Sequence, residues 1–589
     1  MSDGAEELKA IDAQGVVIKE LKTAKADKAA IDAAVAKLLE AKAAYKAATG
    51  KDHVGAGKGS SKKDKKPKAE KAPAGPTKKE LRMAAKAAKA KEDAAKKAAA
   101  AEELMASGEA PYGDYGIIDS RVITDKSWCD VGSLRAGGAT WVRGHVQNVR
   151  MAGKMCFMLI RQSHATVQAV LFQSKDVTKE MVAFAGSIPK ESVIDIYGVI
   201  AAPKDPIASA SMKTVEVAVS KLFIVSKAVP ELPFQVEDAA RRQDLLDELN
   251  EDGTKKYVSV ALDTRLNTRT LDTRTPANQG ILRVISGVGE LFREFLVGNH
   301  FTEIHTPKLI AGASEGGADI FTLKYFGRDA CLAQSPQLYK QMACANAGLE
   351  RVFETGPVFR AENSNTYRHM CEFTGADFEM VIKEHYYEAL EMFSDLFIHI
   401  FEGLNERFAP ELAAVNEQFP FEPLVFCKPA LKLTFAEGMA LLRESGMEGV
   451  DDMADPSTEQ ERILGRIVKE KYGTDFFMMD KYPMSARPFY TMPDPENPDI
   501  SNSYDFFIRG NEILSGAQRI HDYDLLIQEA TKKGIPVETL KDYCDSFKFG
   551  SQPHAGGGIG LDRVVMLFLD LDNIRKACLF SRDPKRLTP

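Results

Sequence analysis

One stretch of the chain places charged side chains at alternating positions on both sides of a polar loop. It reads VFRAENSNTYRHMCEFTGADFEM over residues 358–380. Its charged members are Arg360 and Glu362 on a first predicted strand, Arg368 and His369 in the loop, and Glu372, Asp377 and Glu379 on a second strand. Arginine makes bidentate hydrogen bonds to phosphate oxygens, and Phe373 lies between the cations. The spacing predicts a strand–loop–strand unit that holds a triphosphate.

Two further clusters follow in the C-terminal part of the chain. GNEILSGAQRIHD, residues 510–522, alternates Glu512 with Leu514 and predicts a turn leading into Gln518 and Arg519. HAGGGIGLDRVVMLFL, residues 554–569, begins with glycines that permit close backbone approach, and Arg563 then opens an apolar helix. Each cluster alone has an ordinary explanation, because charged strand ends are usually solvated and glycine-rich turns are common.

The elements that position these clusters belong to one large domain that begins near Thr264. Helical periodicity over 281–299, 384–407 and 459–471 alternates with strand-like stretches such as RVFETGPVFRAE and YDFFIRGNEILSG. The sequence contains no GxxxxGK[ST] loop and no GxGxxG between a strand and a helix. A mixed antiparallel sheet therefore fits this domain better than a doubly wound parallel sheet.

Residues 110–230 have a different pattern, typical of a small antiparallel barrel. Five short segments with period-two alternation are separated by Gly, Ser and Pro, as in an OB-fold. The open face of such a barrel stacks single-stranded bases on aromatic side chains. Phe157 is the candidate for stacking, and Gln168 and Glu216 are placed to read base edges. The alternative is that Phe157 is only a core residue.

Charge is distributed unevenly along the chain, whose net charge is −7. Residues 51–100 carry sixteen basic and six acidic side chains, a net charge of +10. Such a basic arm is typical of a segment that binds a polyanion, although a solvated spacer is the alternative interpretation. Residues 51–76 contain almost no apolar side chains and predict a flexible linker, and the segment from Lys78 to about Leu104 has high helix propensity.

Composition restricts the compartment and the class of protein. Hydrophobic residues make up 44% and charged residues 27%, which is ordinary for a globular protein. The eight cysteines form no CxxC pair, which argues against a zinc site or a disulfide framework and favours a reducing compartment. No apolar run approaches the length of a membrane span, and MSDGAEELKA lacks the apolar core of a secretory signal. We expect a cytoplasmic protein with no membrane partner.

Several of these segments resemble known families. GVVIKELKTAKADKAAIDAAVAKLLEAKAAYKAATG is similar to the WHEP helical hairpin of eukaryotic aminoacyl-tRNA synthetases, and TKKELRMAAKAAKAK resembles the lysine-rich arm before their anticodon domain. The three clusters, in this order and spacing, match motifs 2 and 3 of the class II synthetases. Motif 1 then falls on the helix 281–299 and on FTEIHTPKL, whose Pro307 is expected at a homodimer interface.

The resemblance narrows to the aspartyl-tRNA synthetases of the archaeal and eukaryotic cytosolic type. It is carried by SEGGA (314–318), AQSPQLYKQ (333–341), SGAQR (515–519) and FSRDPKRLTP (580–589), together with motif 2. Asparaginyl enzymes are the neighbouring alternative, and GAD (375–377) with SGAQR argues against them. A synthetase-like scaffold without ligase activity is the second alternative, but Arg360, Glu512 and Arg563 are all present. Asp562 is a small departure, because relatives usually have glutamate there.

The resemblance implies a multidomain α+β fold with six segments. They are a WHEP-like hairpin (1–50), a flexible basic linker (51–77), a lysine-rich helix (78–108), an OB-fold anticodon-binding domain (109–230), a connector (231–263) and a class II antiparallel-sheet catalytic domain (264–589). It implies an aspartate–tRNA ligase that uses ATP and Mg²⁺ and binds tRNA(Asp). RNA or other synthetases are candidate partners of the N-terminal hairpin and basic arm.

The resemblance also implies roles for individual residues. Arg360, Arg563 and Glu512 would be catalytic. The aspartate contacts would be Glu315, Gln337, Lys340, Arg360, Asp377, Ser515 and Arg519. The ATP contacts would be Arg360, Ala361, Glu362, Arg368, His369, Met370, Phe373, Glu512, Gly558, Ile559, Gly560, Leu561 and Arg563. Asp505, Glu512 and Ser515 would hold Mg²⁺, and Phe157, Gln168 and Glu216 would contact the anticodon.

Overall fold

The computed structural model describes residues 9–11, 13–14, 16–18, 28–49, 110–118, 120–121, 123–311 and 320–589. Contacts divide the chain into two units, Met1–Lys96 and Lys97–Pro589. In the first unit, residues 9–11, 13–14 and 16–18 are helical, and helix α1 spans Lys28–Thr49. The predicted linker and lysine-rich helix, and the SEGGA loop with Glu315, lie outside the described residues. Nowhere in these ranges is a helix both long and apolar enough to cross a membrane.

The described part of the second unit begins with a six-stranded sheet, five strands of which close into a barrel. The six strands are β1 (Tyr112–Asp114), β2 (Ala139–Ala152), β3 (Met155–Gln162), β4 (Ala165–Phe172), β5 (Val193–Ala201) and β6 (Glu216–Ser226), with helix α2 (Lys179–Gly186) after β4. The order is β1-β6-β4-β3-β2-β5, and pairing of β5 with β6 closes the barrel while β1 pairs only with β6. Alternate side chains such as Val142, Ile160 and Val217 fill its interior. The five strands predicted from the sequence are β2 to β6, so the OB-fold prediction is confirmed.

A short connector leads to the C-terminal domain. It contains helix α3 (Val236–Ala239), and helices α4 (Leu262–Asn267) and α5 (Arg269–Asp272) lie at the start of that domain. Arg269 is buried and donates hydrogen bonds to the carbonyl oxygens of Lys576, Cys578 and Leu579. The start of the C-terminal domain is therefore tied to residues near the end of the chain.

The C-terminal domain is built on an eight-stranded mixed sheet with the order β13-β14-β15-β16-β17-β12-β11-β7. Its strands are β7 (Thr302–Glu303), β11 (Arg351–Phe359), β12 (Glu372–Val381), β13 (Leu431–Thr434), β14 (Phe476–Asp480), β15 (Ser503–Ile508), β16 (Asn511–Gln518) and β17 (His554–Gly560). Neighbours are antiparallel except β7 with β11 and β13 with β14. This arrangement confirms the predicted antiparallel-sheet domain.

Helices cover the sheet and complete the core. They are α6 (Pro276–Gly298), α7 (Gln337–Gln341), α8 (Tyr387–Arg407), α9 (Ala409–Gln418), α10 (Phe435–Glu444), α11 (Thr458–Tyr472), α12 (Tyr523–Lys532), α13 (Lys541–Ser546) and α14 (Leu561–Phe568). The Thr275 side chain accepts a hydrogen bond from the Asn278 amide and so caps α6, whose first residue is Pro276. A smaller sheet, with the order β8 (Leu309–Ile310), β10 (Arg328–Leu332) and β9 (Thr322–Tyr325), belongs to the same domain.

Two local predictions are wrong. Arg360 and Glu362 do not lie on a strand, because β11 ends at Phe359 and only the amide of Arg360 continues the pairing, to the oxygen of Cys371. The predicted turn after Leu514 is absent, because β16 runs unbroken to Gln518 between two hydrogen-bonded neighbours, β15 and β17. Pairing on both sides keeps SGAQ extended despite its small residues.

Candidate active site

A cavity of about 300 Å³ opens on the face of the large sheet at strands β12, β16 and β17. Fifteen of the predicted aspartate, ATP and metal contacts line it: Gln337, Arg360, Glu362, Arg368, His369, Met370, Phe373, Asp377, Glu512, Ser515, Arg519, Gly558, Ile559, Gly560 and Arg563. Lys340, Ala361, Asp505 and Leu561 are not on its wall. The sheet therefore brings together residues from three separate clusters of the sequence.

The strand register explains this convergence. Asp377 on β12 pairs with Gly558 on β17, Gly558 pairs with Ser515 on β16, and Ser515 pairs with Asp505 on β15. The four residues form one row across the sheet. A Cβ atom on Gly558 would lie 2.8 Å from Oδ2 of Asp377, so the glycine leaves the space that this carboxylate occupies.

The floor of the cavity contains a buried network of two cations and two carboxylates. Lys340 Nζ lies 2.8 Å from Asp377 Oδ2 and 3.5 Å from Glu379 Oε2, and it donates to the oxygen of Gly557. Arg519 Nε donates to Glu379 Oε1 at 2.9 Å, and its Nη2 reaches Gln337 Oε1 at 3.4 Å. The guanidinium of Arg519 is thus held from behind, while Lys340 lies beneath the wall, only 1% exposed.

These cations control the ionisation of Glu379. Burial alone would raise its pKa, but the charges of Arg519 and Lys340 outweigh that effect and hold the pKa below its usual value. Glu379 was placed on the second strand by its spacing, yet no role was assigned to it. The alternation that puts Asp377 towards the site puts Glu379, two residues on, on the same face, and this signal could have identified it.

Three guanidinium groups converge on the other side of the cavity. Arg563 Nη1 donates to the main-chain carbonyl oxygen of Glu512 at 3.0 Å, and Arg368 Nη1 donates to the carboxylate oxygen Oε2 of Glu461 at 2.9 Å. The guanidinium of Arg360 lies 5.5 Å from the centre of the Phe373 ring. Burial, followed by the charges of Arg368 and Arg360, lowers the pKa of Arg563. This concentration of positive charge favours a polyanionic ligand beside an aromatic ring.

His369 contributes a hydrogen-bonding ring rather than a charge. Burial lowers its pKa, and the neighbouring charges of Arg563 and Arg368 lower it further, so the ring is neutral at pH 7. Its Nδ1 lies 2.6 Å from Thr366 Oγ1. The departure at Asp562 is accommodated, because its Oδ2 accepts a hydrogen bond from the Thr374 amide at 2.9 Å.

The predicted metal ligands are partly engaged by an arginine that sequence reasoning missed. Arg487 donates to both oxygens of Asp505, at 3.1 and 2.7 Å, and to Ser515 Oγ at 2.9 Å. Glu512 lies nearby, and burial together with the charge of Asp505 raises its pKa to about 7. Within the described ranges, no group of three or more His, Cys, Asp or Glu side chains is arranged to hold a metal ion.

The oxygen donors nevertheless suit Mg²⁺. This ion is commonly held by one or two carboxylates and completed by substrate phosphates and water. A partly buried carboxylate whose pKa is raised by desolvation and by a neighbouring negative charge is also a position where a divalent cation relieves repulsion. Glu512, with Asp505 beside it, therefore fits the ion.

The barrel places its three predicted RNA contacts on one outer face. Gln168 on β4 pairs with Glu216 on β6, and its Nε2 donates to Glu216 Oε2 at 3.0 Å. Phe157 lies on the neighbouring strand β3 and is half-buried, and the Arg150 guanidinium lies 5.0 Å from the centre of its ring. Arg150 was missed, although alternation along β2 places it on this face. Because its ring is partly exposed, the alternative that Phe157 is only a core residue does not fit the structure.

Pro307 is exposed in the single chain and follows Thr306, whose amide and hydroxyl donate to the carboxylate of Glu354. The segment is therefore anchored to the large sheet while the proline faces outwards. Its place at a dimer interface stays a prediction.

Comparison with known families agrees with this architecture. Residues 261–584 match the model of the tRNA synthetases class II (D, K and N), which is more than half of the chain. Residues 8–57 match the WHEP-TRS domain, and residues 140–225 match the OB-fold nucleic acid binding domain.

Similarity to individual proteins identifies the subgroup of the family to which the chain belongs. The chain is 51% identical over 481 residues to the cytoplasmic aspartate–tRNA ligase of Mus musculus, which covers 81% of this chain and 94% of that protein. The aspartyl-tRNA synthetase of Entamoeba histolytica superposes with a TM-score of 0.76 at 44% identity, covering 82% of this chain and 97% of that one. The asparaginyl-tRNA synthetase of Pyrococcus horikoshii gives 0.67 at 28% identity, covering 79% and 100%. The chain belongs to the class II aminoacyl-tRNA synthetases and, among them, to the aspartate–tRNA ligase family.

Proposed function

We propose that this chain activates L-aspartate with ATP in the cavity and transfers it to the 3′ end of tRNA(Asp). One observation carries the choice of amino acid. Arg519 presents a buried guanidinium to the cavity and is fixed from behind by Glu379 and Gln337. A guanidinium held in one orientation matches the two acceptor oxygens of a carboxylate side chain, whereas a neutral amide would turn its NH₂ donor towards the N–H donors of the arginine.

The other aspartate contacts act around this arginine. Gln337 and Ser515 supply hydrogen-bonding groups at the wall, and Arg360 would bind the α-carboxylate. Lys340 would act indirectly, by neutralising Asp377 and Glu379 so that the region tolerates another anion. Glu315 is proposed to hold the α-ammonium group from the SEGGA loop.

The ATP contacts divide into cations and a base platform. Arg360, Arg368 and Arg563 would bind the phosphates, and His369 would donate a hydrogen bond. The ring of Phe373 offers a stacking surface for adenine. Backbone atoms would complete the pocket at Ala361, Met370, Gly558, Ile559, Gly560 and Leu561, with Glu362 beside them.

The chemistry requires positioning and charge rather than a side-chain nucleophile. The α-carboxylate of aspartate attacks the α-phosphorus, and pyrophosphate leaves. Arg360 and Arg563 lie where negative charge spreads over the phosphate oxygens, so they stabilise the transition state more than the ground state. Glu512 and Asp505 would hold Mg²⁺, which supplies further positive charge at the phosphates. The terminal ribose hydroxyl of the tRNA then attacks the carbonyl carbon of the mixed anhydride, the bond from that carbon to the phosphate oxygen breaks, and AMP and the hydroxyl proton leave as the ester forms.

The remaining parts of the proposal concern partners. The outer face of the barrel would bind the anticodon through Phe157, Gln168 and Glu216, because stacking and edge hydrogen bonds are the common mode of loop recognition. The six segments keep the bounds and roles predicted above, with RNA or other synthetases as partners of the N-terminal segments. We propose a homodimer with Pro307 at its interface, located in the cytoplasm as the names of the relatives indicate.

The deciding experiment is ATP–pyrophosphate exchange with each of the twenty amino acids in turn. Exchange that depends on aspartate alone is the expected result. Exchange with asparagine would assign the neighbouring specificity, and no exchange with any amino acid would favour the scaffold alternative.

Glu512 makes the need for Mg²⁺ depend on pH. Metal binding requires the ionised carboxylate, and a pKa of about 7 leaves most of it ionised at pH 8 and about a tenth ionised at pH 6. The Mg²⁺ concentration for half-maximal exchange should therefore rise about tenfold between pH 8 and pH 6. A pH-independent requirement would contradict the role of Glu512, and Glu512→Gln serves as the variant without this titration.

Replacing Phe157 by alanine should weaken tRNA binding without affecting adenylate formation. Loss of one stacked base costs about 1–3 kcal/mol, so we expect the KM for tRNA to rise about 5- to 150-fold. Exchange, which needs no tRNA, should remain at the parent rate. Val199→Ala removes an exposed apolar side chain from another strand of the barrel and should change neither quantity. An unchanged KM for tRNA in Phe157→Ala would indicate that the ring has only a structural role.

A further inference from the structure

Three charged side chains meet at the junction of the barrel and the catalytic domain. Glu191 precedes β5, and its Oε2 accepts a hydrogen bond from Arg161 Nη2 of β3 at 2.6 Å. The same oxygen accepts from Arg274 Nη1 at 2.9 Å, and Arg274 lies between α5 and α6. We call Arg161, Glu191 and Arg274 the junction triad. Two of its members belong to the barrel and one to the catalytic domain.

The triad is buried on the barrel side and depends on its own partners for charge balance. The side chains of Arg161 and Glu191 are 2% and 3% exposed, and that of Arg274 is 35% exposed. Burial would raise the pKa of Glu191, but the hydrogen bonds and charges of Arg161 and Arg274 outweigh it and lower the pKa. Neighbouring His145 has its pKa lowered to about 4 by burial and by the two arginines, so it adds no charge.

The backbone at Glu191 is also held in an uncommon conformation. Its φ is +66°, in the left-handed region that residues other than glycine seldom adopt. The Glu191 amide donates to the oxygen of Val146 at 2.7 Å, which fixes this turn against β2. A strained residue persists where its surroundings determine one geometry, so the carboxylate is presented to Arg274 in a defined direction.

Each end of the triad is next to an element that takes part in the proposed function. Strand β3 carries Arg161 and also Phe157 on the proposed anticodon face. At the end of this strand, Ser163 and His164 contact Arg283 of α6 at 3.2 and 2.9 Å. Helix α6 packs in the same core as Phe378 of β12, the strand that bears Asp377 and Glu379. The triad thus connects the strand proposed to bind the anticodon with the helix beneath the active-site sheet.

We infer that the junction triad consists of positioning residues that fix the orientation of the barrel relative to the active site for the transfer step. The inference rests on the proposed function. Adenylate formation involves only small molecules in the cavity and does not use the barrel. Transfer requires one tRNA to occupy the barrel and the cavity together, so an error in orientation displaces the reacting ribose. Displacement by about 1 Å can slow a reaction about 100-fold.

Arg274→Gln tests this inference with little risk to folding, because the Arg161–Glu191 pair inside the barrel stays intact. We expect the kcat for aminoacylation of tRNA to fall at least about tenfold. The rate of ATP–pyrophosphate exchange should remain unchanged, and so should the affinity for an isolated anticodon stem-loop. Arg274→Lys keeps a cation at the same place and should recover part of the aminoacylation rate.

Lys190→Gln is the matched control. Lys190 and Glu237 form a neighbouring ion pair at 3.2 Å between the barrel and the connector, but both side chains are 37% exposed. Exposed pairs contribute little, so all three measurements should match the parent chain.

Three outcomes for Arg274→Gln would overturn the inference. An unchanged aminoacylation rate would show that orientation does not depend on the triad. A parallel loss of exchange would show that Arg274 supports the active site itself, and a weakened stem-loop complex would show that it shapes the barrel surface. Failure of the proposed function is distinguishable, because the parent chain would then lack aspartate-dependent exchange.

Discussion

An Arg563→Ala variant is expected to lose aspartate-dependent ATP–pyrophosphate exchange by about 100- to 1,000-fold while remaining as thermally stable as the parent chain. Arg563 is a half-buried cation close to Arg360 and Arg368, and both its desolvation and these neighbours lower its pKa. Repulsion among the three arginines is unfavourable in the free protein. Bound phosphates would neutralise this positive charge, so the arginines would attract the ligand. Removal of Arg563 should therefore affect catalysis and not folding.

Two measurements separate these effects. Exchange kinetics report the loss of transition-state stabilisation, and thermal unfolding reports the integrity of the fold. Arg466→Ala removes an exposed arginine on α11 and should change neither. Wild-type exchange in Arg563→Ala would contradict the assignment, and a large fall in the unfolding temperature would show that the arginine is structural.

Arg519→Met should abolish activity and also destabilise the protein. The substitution leaves Glu379 fully buried, with Lys340 at 3.5 Å as its remaining ion-pair partner among the residues that the structure describes. Breaking a buried ion pair by removing one partner costs about 3–5 kcal/mol in the free energy of unfolding. Exchange should fall at least about 1,000-fold, because the side chain of aspartate loses its counterion. Exchange assays and denaturant unfolding test the two effects.

A double substitution distinguishes the two roles of Arg519. Arg519→Met combined with Glu379→Met removes both charges and replaces them with apolar side chains of similar length, which often restores stability. Lys340 keeps Asp377 at 2.8 Å. Stability should recover while exchange stays lost. Recovery of exchange in the double variant would show that Arg519 only neutralises Glu379 and does not contact the substrate.

The sequence predicted the elements whose signals are local. The alternation of ATVQAVLF identified β4, and the run after Arg563 identified α14. Resemblance in motif order then predicted contact residues, and fifteen of them line one cavity in the structure. Local patterns could not show which side chains meet across long separations. Glu379 and Arg519 are 140 residues apart, and Arg487 contacts Ser515 from a loop with no periodicity.

The same limit explains the two local errors. Alternation continues through Arg360 and Glu362, but the end of β11 is set by where β12 stops offering backbone partners. The small residues of SGAQ suggest a turn, yet pairing with β15 and β17 keeps them extended. Both outcomes depend on neighbouring strands rather than on the segment itself.

The central position of β17 has a consequence for biosynthesis. This strand lies between β12 and β16 but spans His554–Gly560, so a ribosome translates it long after its neighbour β12. Lys340 donates a hydrogen bond to the backbone oxygen of Gly557, which is translated 217 residues later. Until then β12 and β16 have unpaired edges, which in a nascent chain can associate with other polypeptides. A messenger RNA truncated before the codons of β17 would encode all the barrel strands but none of the cavity wall at Gly558, Ile559 and Gly560, so the proposed activity requires translation to continue through this strand.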